Sequence, residues 1–289
     1  MILALDTLLQ GVLLGGLYAL FAAGLSLIFG VMRLVNLAHG DVIVVAAFVL
    51  LALMQHFGLG LAPALILVAP GMFVLGWALQ YLILNRVIGK DILPPLLITF
   101  GLSIFMQNGL LEVFSADSRR LPANGLENAS LALAPGLAIG IVPLMTLGAA
   151  LAVIVGLNQL FYRTAMGRAF RAVSDDPATA ELMGVDPKRV FAIAMGLAFG
   201  VAAIAALFLG VRSNFDPSIG PARLIFAFEA VIIGGLGSLW GTLAGGIVLG
   251  LAQTIGAEIN PEWQILAGHV AFLAVLIARP RGFFPRAVD

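Results

Sequence analysis

Apolar residues in this chain gather into long continuous runs, and that pattern leaves few folds open. The runs cover residues 8–30, 41–56, 61–84, 93–114, 137–161 and 190–211, an interrupted stretch over 222–256, and 262–278. A helix needs about 20 mostly apolar residues to cross a bilayer. None of the runs alternates with period two, as barrel strands do, so helices are the way to satisfy their backbone in lipid. Polar residues, Pro or Gly bound each run. Hydrophobic residues make up 61% of the chain and charged residues 10%, against about 45–50% and 25% in soluble domains. The expected fold is an all-α polytopic membrane protein, a single transmembrane domain over residues 1–289 with eight or nine transmembrane helices and two broken segments.

Several functions are disfavoured by the same composition. Fifteen acidic residues balance fifteen basic ones, so nothing points to nucleic acid or to a strongly charged soluble partner. Cysteine is absent, which removes disulfides, thiol nucleophiles and cysteine–metal sites. The sequence contains no HExxH zinc motif, GxSxG elbow or P-loop, so no catalytic or metal-binding residue is assigned. The first ten residues carry Asp6 as their one charge and no Lys or Arg. A signal peptide begins with positive charge, so the first run is read as a retained span.

Orientation follows from Lys and Arg, which favour the cytoplasmic side. Grouping segments 31–40, 85–92, 162–189 and 279–289 collects Arg33, Arg86, Lys90, Arg163, Arg168, Arg171, Lys188, Arg189, Arg279, Arg281 and Arg286 on one side. Arg119, Arg120, Arg212 and Arg223 fall on the other. The N-terminus is therefore expected outside and the C-terminus in the cytoplasm. Parity then requires the 222–256 stretch to cross twice, through a turn at Gly234–Ser238. Nine crossings are favoured over eight.

That turn, within IIGGLGSLWG (residues 232–241), is the first expected break; the other lies in FGVMRLVNLAHGD (29–41). Interrupted hydrophobic segments in both halves of a chain point to a transport pathway. Candidate pathway residues are Asn36, His39, Asp41, Glu229, Gly234, Gly235, Gly237 and Ser238. Asp41 or Asn36 could instead cap a helix start, and Glu229 could serve Arg223 or a backbone group. Gln107 and Asn108 are expected to bond between helices. Glycines spaced by four (Gly11/Gly15, Gly196/Gly200, Gly237/Gly241/Gly245, Gly246/Gly250) suit close helix packing within one bundle, or a subunit seam. No residue-by-residue repeat between the halves is evident.

Charge concentrates in one place. Nine of the thirty charged residues lie between Arg163 and Arg189, around SDDPATAELMGVDPKRV (174–190). Asp176–Pro177 reads as an N-cap and first helical residue, Pro177–Met183 as two turns, and Gly184 as the stop. Asp186–Pro187 repeats the device at the start of the next span. Arg168 and Arg171 sit on another short helix upstream. A two-turn helix is marginal alone in water. It must dock on the bundle's own face or on a protein partner.

These residues carry a resemblance. GRAFRAVSDDPATAELMGVDPKR (167–189) resembles the cytoplasmic coupling segment of permeases in branched-chain amino acid ABC importers, the LivH type. GLSLIFGVMRLVNLAHGD (24–41) and IGGLGSLWG (233–241) are similar to that family's N- and C-terminal signatures. Leu37, Asp41 and Trp240 stand where family members often have Phe, Glu and Pro. The resemblance implies an inner-membrane subunit with no cofactor of its own. It implies a homologous second permease, two cytoplasmic ATPases holding ATP and Mg, and a periplasmic substrate-binding protein. Within the coupling loop 162–189, Ala178, Ala180, Glu181, Leu182, Met183 and Gly184 would contact an ATPase, with Arg168 and Arg171 nearby. The rival expectation is an ion-gradient-driven secondary transporter of a small polar solute, working through Glu229, His39 or Asp41.

Overall fold

The computed structural model describes residues 2–88, 91, 93–134 and 137–284; Lys90 and Arg286 of the basic set lie outside the described residues. In chain order the helices are α1 (Ile2–Met32), α2 (His39–Phe57), α3 (Leu61–Leu82), α4 (Leu93–Phe114), α5 (Ile141–Arg163), α6 (Ala165–Asp175), α7 (Pro177–Leu182), α8 (Pro187–Arg212), α9 (Gly220–Gly234), α10 (Leu239–Ile259) and α11 (Trp263–Ala278). Seven of these (α1–α5, α8 and α10) are long and apolar enough to cross a membrane, and α11 is a shorter apolar helix of 16 residues. Helix starts follow local chemistry: proline stands in the first turn of α4, α5, α7, α8 and α9, where its missing N–H removes no helical bond.

One element was not anticipated. The expected fifth span begins at 137, but Leu137–Gly140 is a strand (β2) paired antiparallel with Ser130–Ala134 (β1), and the helix starts at Ile141. The hairpin belongs to one end of the bundle. There Gln10 donates to the Ala138 carbonyl, Arg120 to Val211 and Arg212 to Leu13. At the opposite end Ser174 donates to the Gly30 carbonyl and Asn85 to Lys188, while the Phe283 and Phe284 amides bond Ile233 and Gly234. The described parts of the basic segments grouped by sequence therefore share an end. Arg223 departs from that scheme, riding half-buried on the first turn of α9.

α1 and α8 form the centre, 89% and 78% buried over their most apolar windows, whereas the corresponding windows of α3, α4 and α5 are at most 28% buried. The four-residue glycine spacing works inside this bundle. Gly11 and Gly15 of α1 face Leu251 and Ile247 of α10, and Gly250 and Gly246 face back onto α1. Gly196 and Gly200 face Phe73 and Ala69 of α3. This is the packing reading, with glycine admitting backbone to backbone in lipid.

Both expected breaks are present. Residues 33–38 are non-helical between α1 and α2, and residues 235–238 turn between α9 and α10. α9 has 15 residues, about 22 Å of helix, and runs back alongside α10.

A repeat hidden at the level of side chains appears in the backbone. The Arg33 amide bonds the Phe29 carbonyl, as Ser213 bonds Leu209. The Ala38 amide bonds Asn36 Oδ1, as Ser218 bonds Asp216 Oδ1. The His39 amide bonds the Asn36 carbonyl, as Ile219 bonds Asp216. Each pair is displaced by 180 positions, as are Gly30 and Gly210, Val31 and Val211, and Gly40 and Gly220. Packing follows suit: α1 lies on α10 as α8 lies on α3, and α8 contacts α2 as α1 contacts α9. α1 runs toward the Ser174 end and α8 away from it, so the two halves are inverted relative to each other.

Candidate functional site

The inverted halves meet where two helices begin. α2 starts deep in the bundle, because His39 is fully buried and donates from Nε2 to the Phe21 carbonyl at 2.9 Å, near the middle of α1. α9 starts against it. A Cβ on Gly40 would land on the Gly220 carbonyl, and a Cβ on Gly220 would land on the Asp41 carboxylate. Only glycine fits at either position, so the two helix N-termini abut head to head inside the bundle. Their partial positive ends converge on Asp41, which is 1% exposed.

Asp41 does not occupy the N-cap position of α2, which is Ala38, though its carboxylate accepts from its own first-turn amide, as one option foresaw. It lies in the first turn of α2 and accepts a 2.5 Å bond from Ser103 of α4. Gln107 donates to Ser103 Oγ at 3.0 Å, extending the polar line one turn along the same face of α4. Asn36 caps in part, bonding the Ala38 amide through Oδ1, and its Nδ2 points at Met195 Sδ of α8, 3.9 Å away. The expectation that Gln107 and Asn108 bond between helices holds for Gln107, whose side chain also bonds the Asp41 carboxylate of α2, and is overturned for Asn108. Gln107 bonds Ser103 on its own helix, and Asn108 bonds the Ile104 carbonyl. Ser103, unremarked in the sequence, shares that cross-helix contact to Asp41.

A second polar cluster occupies α9. Glu229 is 4% exposed and pairs with Nδ1 of His269 on α11; neither Arg223 nor a backbone group is its partner. His269 lies over Phe226 with ring centroids 6.4 Å apart, and Phe226 packs on Tyr18, whose hydroxyl donates to Gln253 at 2.5 Å. A buried carboxylate needs such a partner in an apolar interior.

The Gly234–Ser238 turn lies at the Ser174 end. Ser238 caps α10 by accepting from the Gly241 amide, and Gly237 packs against Gly30 of α1. Residues 279–284 strap across this turn, with Gly282 against Gly235.

The charged loop folds as its local chemistry dictates. Asp176 accepts from the Ala178 and Thr179 amides and from the Thr179 hydroxyl. These bonds, the Thr179 hydroxyl first, hold its carboxyl below the usual range. Gly184 ends the helix at φ +85°, and Asp186 caps α8 through the Lys188 and Arg189 amides. Ala180 turns inward, 4% exposed, onto the chain's own helices. Leu182 and Met183 project outward, 87% and 81% exposed, with Ala178, Glu181 and Gly184 exposed beside them. Arg171 donates to the Phe161 carbonyl and stacks over Tyr162, while Arg168 is exposed.

Inverted halves, helices broken inside the bundle and a capped device at one end define an all-α, multi-pass membrane permease. The family model for the branched-chain amino acid transport system permease component matches residues 7–278, and the chain belongs to that family. It is 29% identical to the high-affinity branched-chain amino acid transport system permease protein BraD of Pseudomonas aeruginosa, over 98% of this chain and 96% of the relative. It is likewise 29% identical to LivH of Escherichia coli, over the same shares. LivM of Escherichia coli is 23% identical, over 93% of this chain and 68% of the relative.

Proposed function

We propose that this chain is one permease subunit of an ATP-driven importer of branched-chain amino acids, seated in a bacterial inner membrane with the Ser174 end in the cytoplasm. The observation that carries the proposal is the α6–α7 element: a rigidly capped helix whose apolar tip, Leu182 and Met183, stands in solvent. A six-residue helix has little stability of its own. Its caps and the inward Ala180 hold it in place, and the exposed tip gives a partner something to grip. Ala178, Glu181, Leu182, Met183 and Gly184 form the contact with a cytoplasmic ATPase, Arg168 flanks it, and Arg171 and Ala180 hold the element to the bundle.

A second, homologous permease completes the pathway. Similarity to both LivH and LivM supports this, since both are named permease proteins of a high-affinity branched-chain amino acid system. Two ATPases supply ATP and Mg chemistry, and a periplasmic protein delivers substrate from the far end. Nucleotide-driven closure moves the coupling helix and so the junction of α2 and α9, where Asn36, His39 and Asp41 lie. Affinity purification of the tagged chain from its native membrane tests this. Recovery of a second permease and two ATPases is expected; recovery of the chain alone or as a homo-oligomer contradicts it.

A further inference from the structure

A cavity of about 330 Å³ opens at the Ser174 end, between α1, α5 and the start of α10. That volume lies at the lower end of the roughly 300–1,000 Å³ of small-molecule sites. Ser26 of α1 lines it, 1% exposed, and its hydroxyl has no partner among the described residues. Such a buried hydroxyl is costly to leave unpaired. Asn158 of α5 lines the cavity as well, and so does the N-terminus of α10. In α10 the Gly241 amide is satisfied by Ser238. The amides of Leu239 and Trp240 are left over by helix geometry and suit an anionic group. The rest of the wall is apolar: Leu27, Phe161, Tyr162, Trp240 and Phe284. None of the described lining residues is charged.

We infer that this cavity is a binding site for a neutral zwitterion with a small aliphatic side chain, an α-amino acid on its way out to the cytoplasm. The inference rests on the import reading above. The carboxylate takes the free amides of α10. The ammonium group takes the Ser26 hydroxyl, the Asn158 side-chain carbonyl and the face of Trp240. The side chain fills the space against Leu27, Phe161 and Phe284. A phosphate or lipid headgroup fits less well, because the wall offers no cation to balance a full negative charge. Arg171, close by over Tyr162, is engaged with the Phe161 carbonyl. The Gly234–Ser238 turn and the strap carrying Phe284 thereby acquire a role as the floor of the site.

The absence of cysteine makes a direct test available. In the complete importer, reconstituted in vesicles, Ser26→Cys and separately Asn158→Cys are treated with a small methanethiosulfonate, and modification of this chain is followed. Both positions should be labelled. Leucine at about ten times its Kd should slow labelling about tenfold, whereas leucinol, isocaproate and inorganic phosphate at that concentration should leave the rate unchanged. Failure of both positions to label, no protection by leucine, or equal protection by isocaproate or phosphate overturns the site. ATP-driven leucine uptake by the native complex, measured in parallel, separates the two readings. Uptake without protection removes the site alone, and absence of uptake removes the import reading beneath it.

Discussion

Replacing Leu182 and Met183 together by Glu should separate ATP hydrolysis from transport while leaving the permease folded. The two side chains are 87% and 81% exposed, so neither supports the chain's own core, and surface changes of this kind shift stability by about 0.5 kcal/mol or less. Burying such a side chain completely contributes about 1.5–3 kcal/mol. Taking the low end, because a partner covers only part of each, the pair contributes about 3 kcal/mol, or roughly 150-fold in the affinity of permease for ATPase. Glu adds a desolvation cost on top. The assay has three parts: ATPase retained on the purified permease, ATP hydrolysis stimulated by loaded binding protein, and uptake into vesicles. Retention and stimulation should both collapse at an unchanged melting temperature. Uptake at the native rate would refute the docking role. A lowered melting temperature accompanying the loss would refute the premise that these residues stand clear of the fold.

Other outcomes follow from the same geometry. Gly40→Ala pushes a methyl into the Gly220 carbonyl. It should cost at least the roughly 1–3 kcal/mol of overpacking, read as a lower melting temperature in detergent, while Gly71→Ala, with nothing within 4 Å of the new methyl, should not. Asp176 has a depressed carboxyl pKa, so its contribution to α7 is present above the unfolded value of about 3.9 and fades as pH falls through the lower folded value. Hydrogen exchange at the Ala178 and Thr179 amides should therefore accelerate over that acid window, beyond the intrinsic pH effect, and not between pH 6 and 8. With Thr179→Cys, a membrane-impermeant reagent should label only from the cytoplasmic side, and with Asn124→Cys only from outside; the reverse pattern overturns the orientation.

Signals carried by single residues were legible in the sequence. Asp176–Pro177, Gly184 and Asp186–Pro187 act through bonds to their immediate neighbours, and the loop folds accordingly. The two breaks were legible for the same reason. The repeat was not, because it is written in backbone bonds: Asn36 and Asp216 make the same turn with different side chains, and around Gly40 and Gly220 little else is shared. Partners distant in sequence were also out of reach. Nothing in the neighbourhood of Glu229 points to His269 forty residues on, or from Asp41 to Ser103. Ala180 illustrates a finer limit. The resemblance placed it in the ATPase contact, but the phase of a two-turn helix decides which alanine turns inward, and that is set by the packing of α7 on α6 and α8.

The central claim is that ATP hydrolysed on partner subunits drives this bundle. The most direct measurement is leucine accumulation in vesicles containing the complete complex and binding protein, with ATP and Mg supplied to the ATPases and no ion gradient. The account predicts accumulation that stops when ATP is replaced by a non-hydrolysable analogue and is indifferent to collapsing proton or sodium gradients. Accumulation that persists without ATP and disappears with an ion gradient would contradict it.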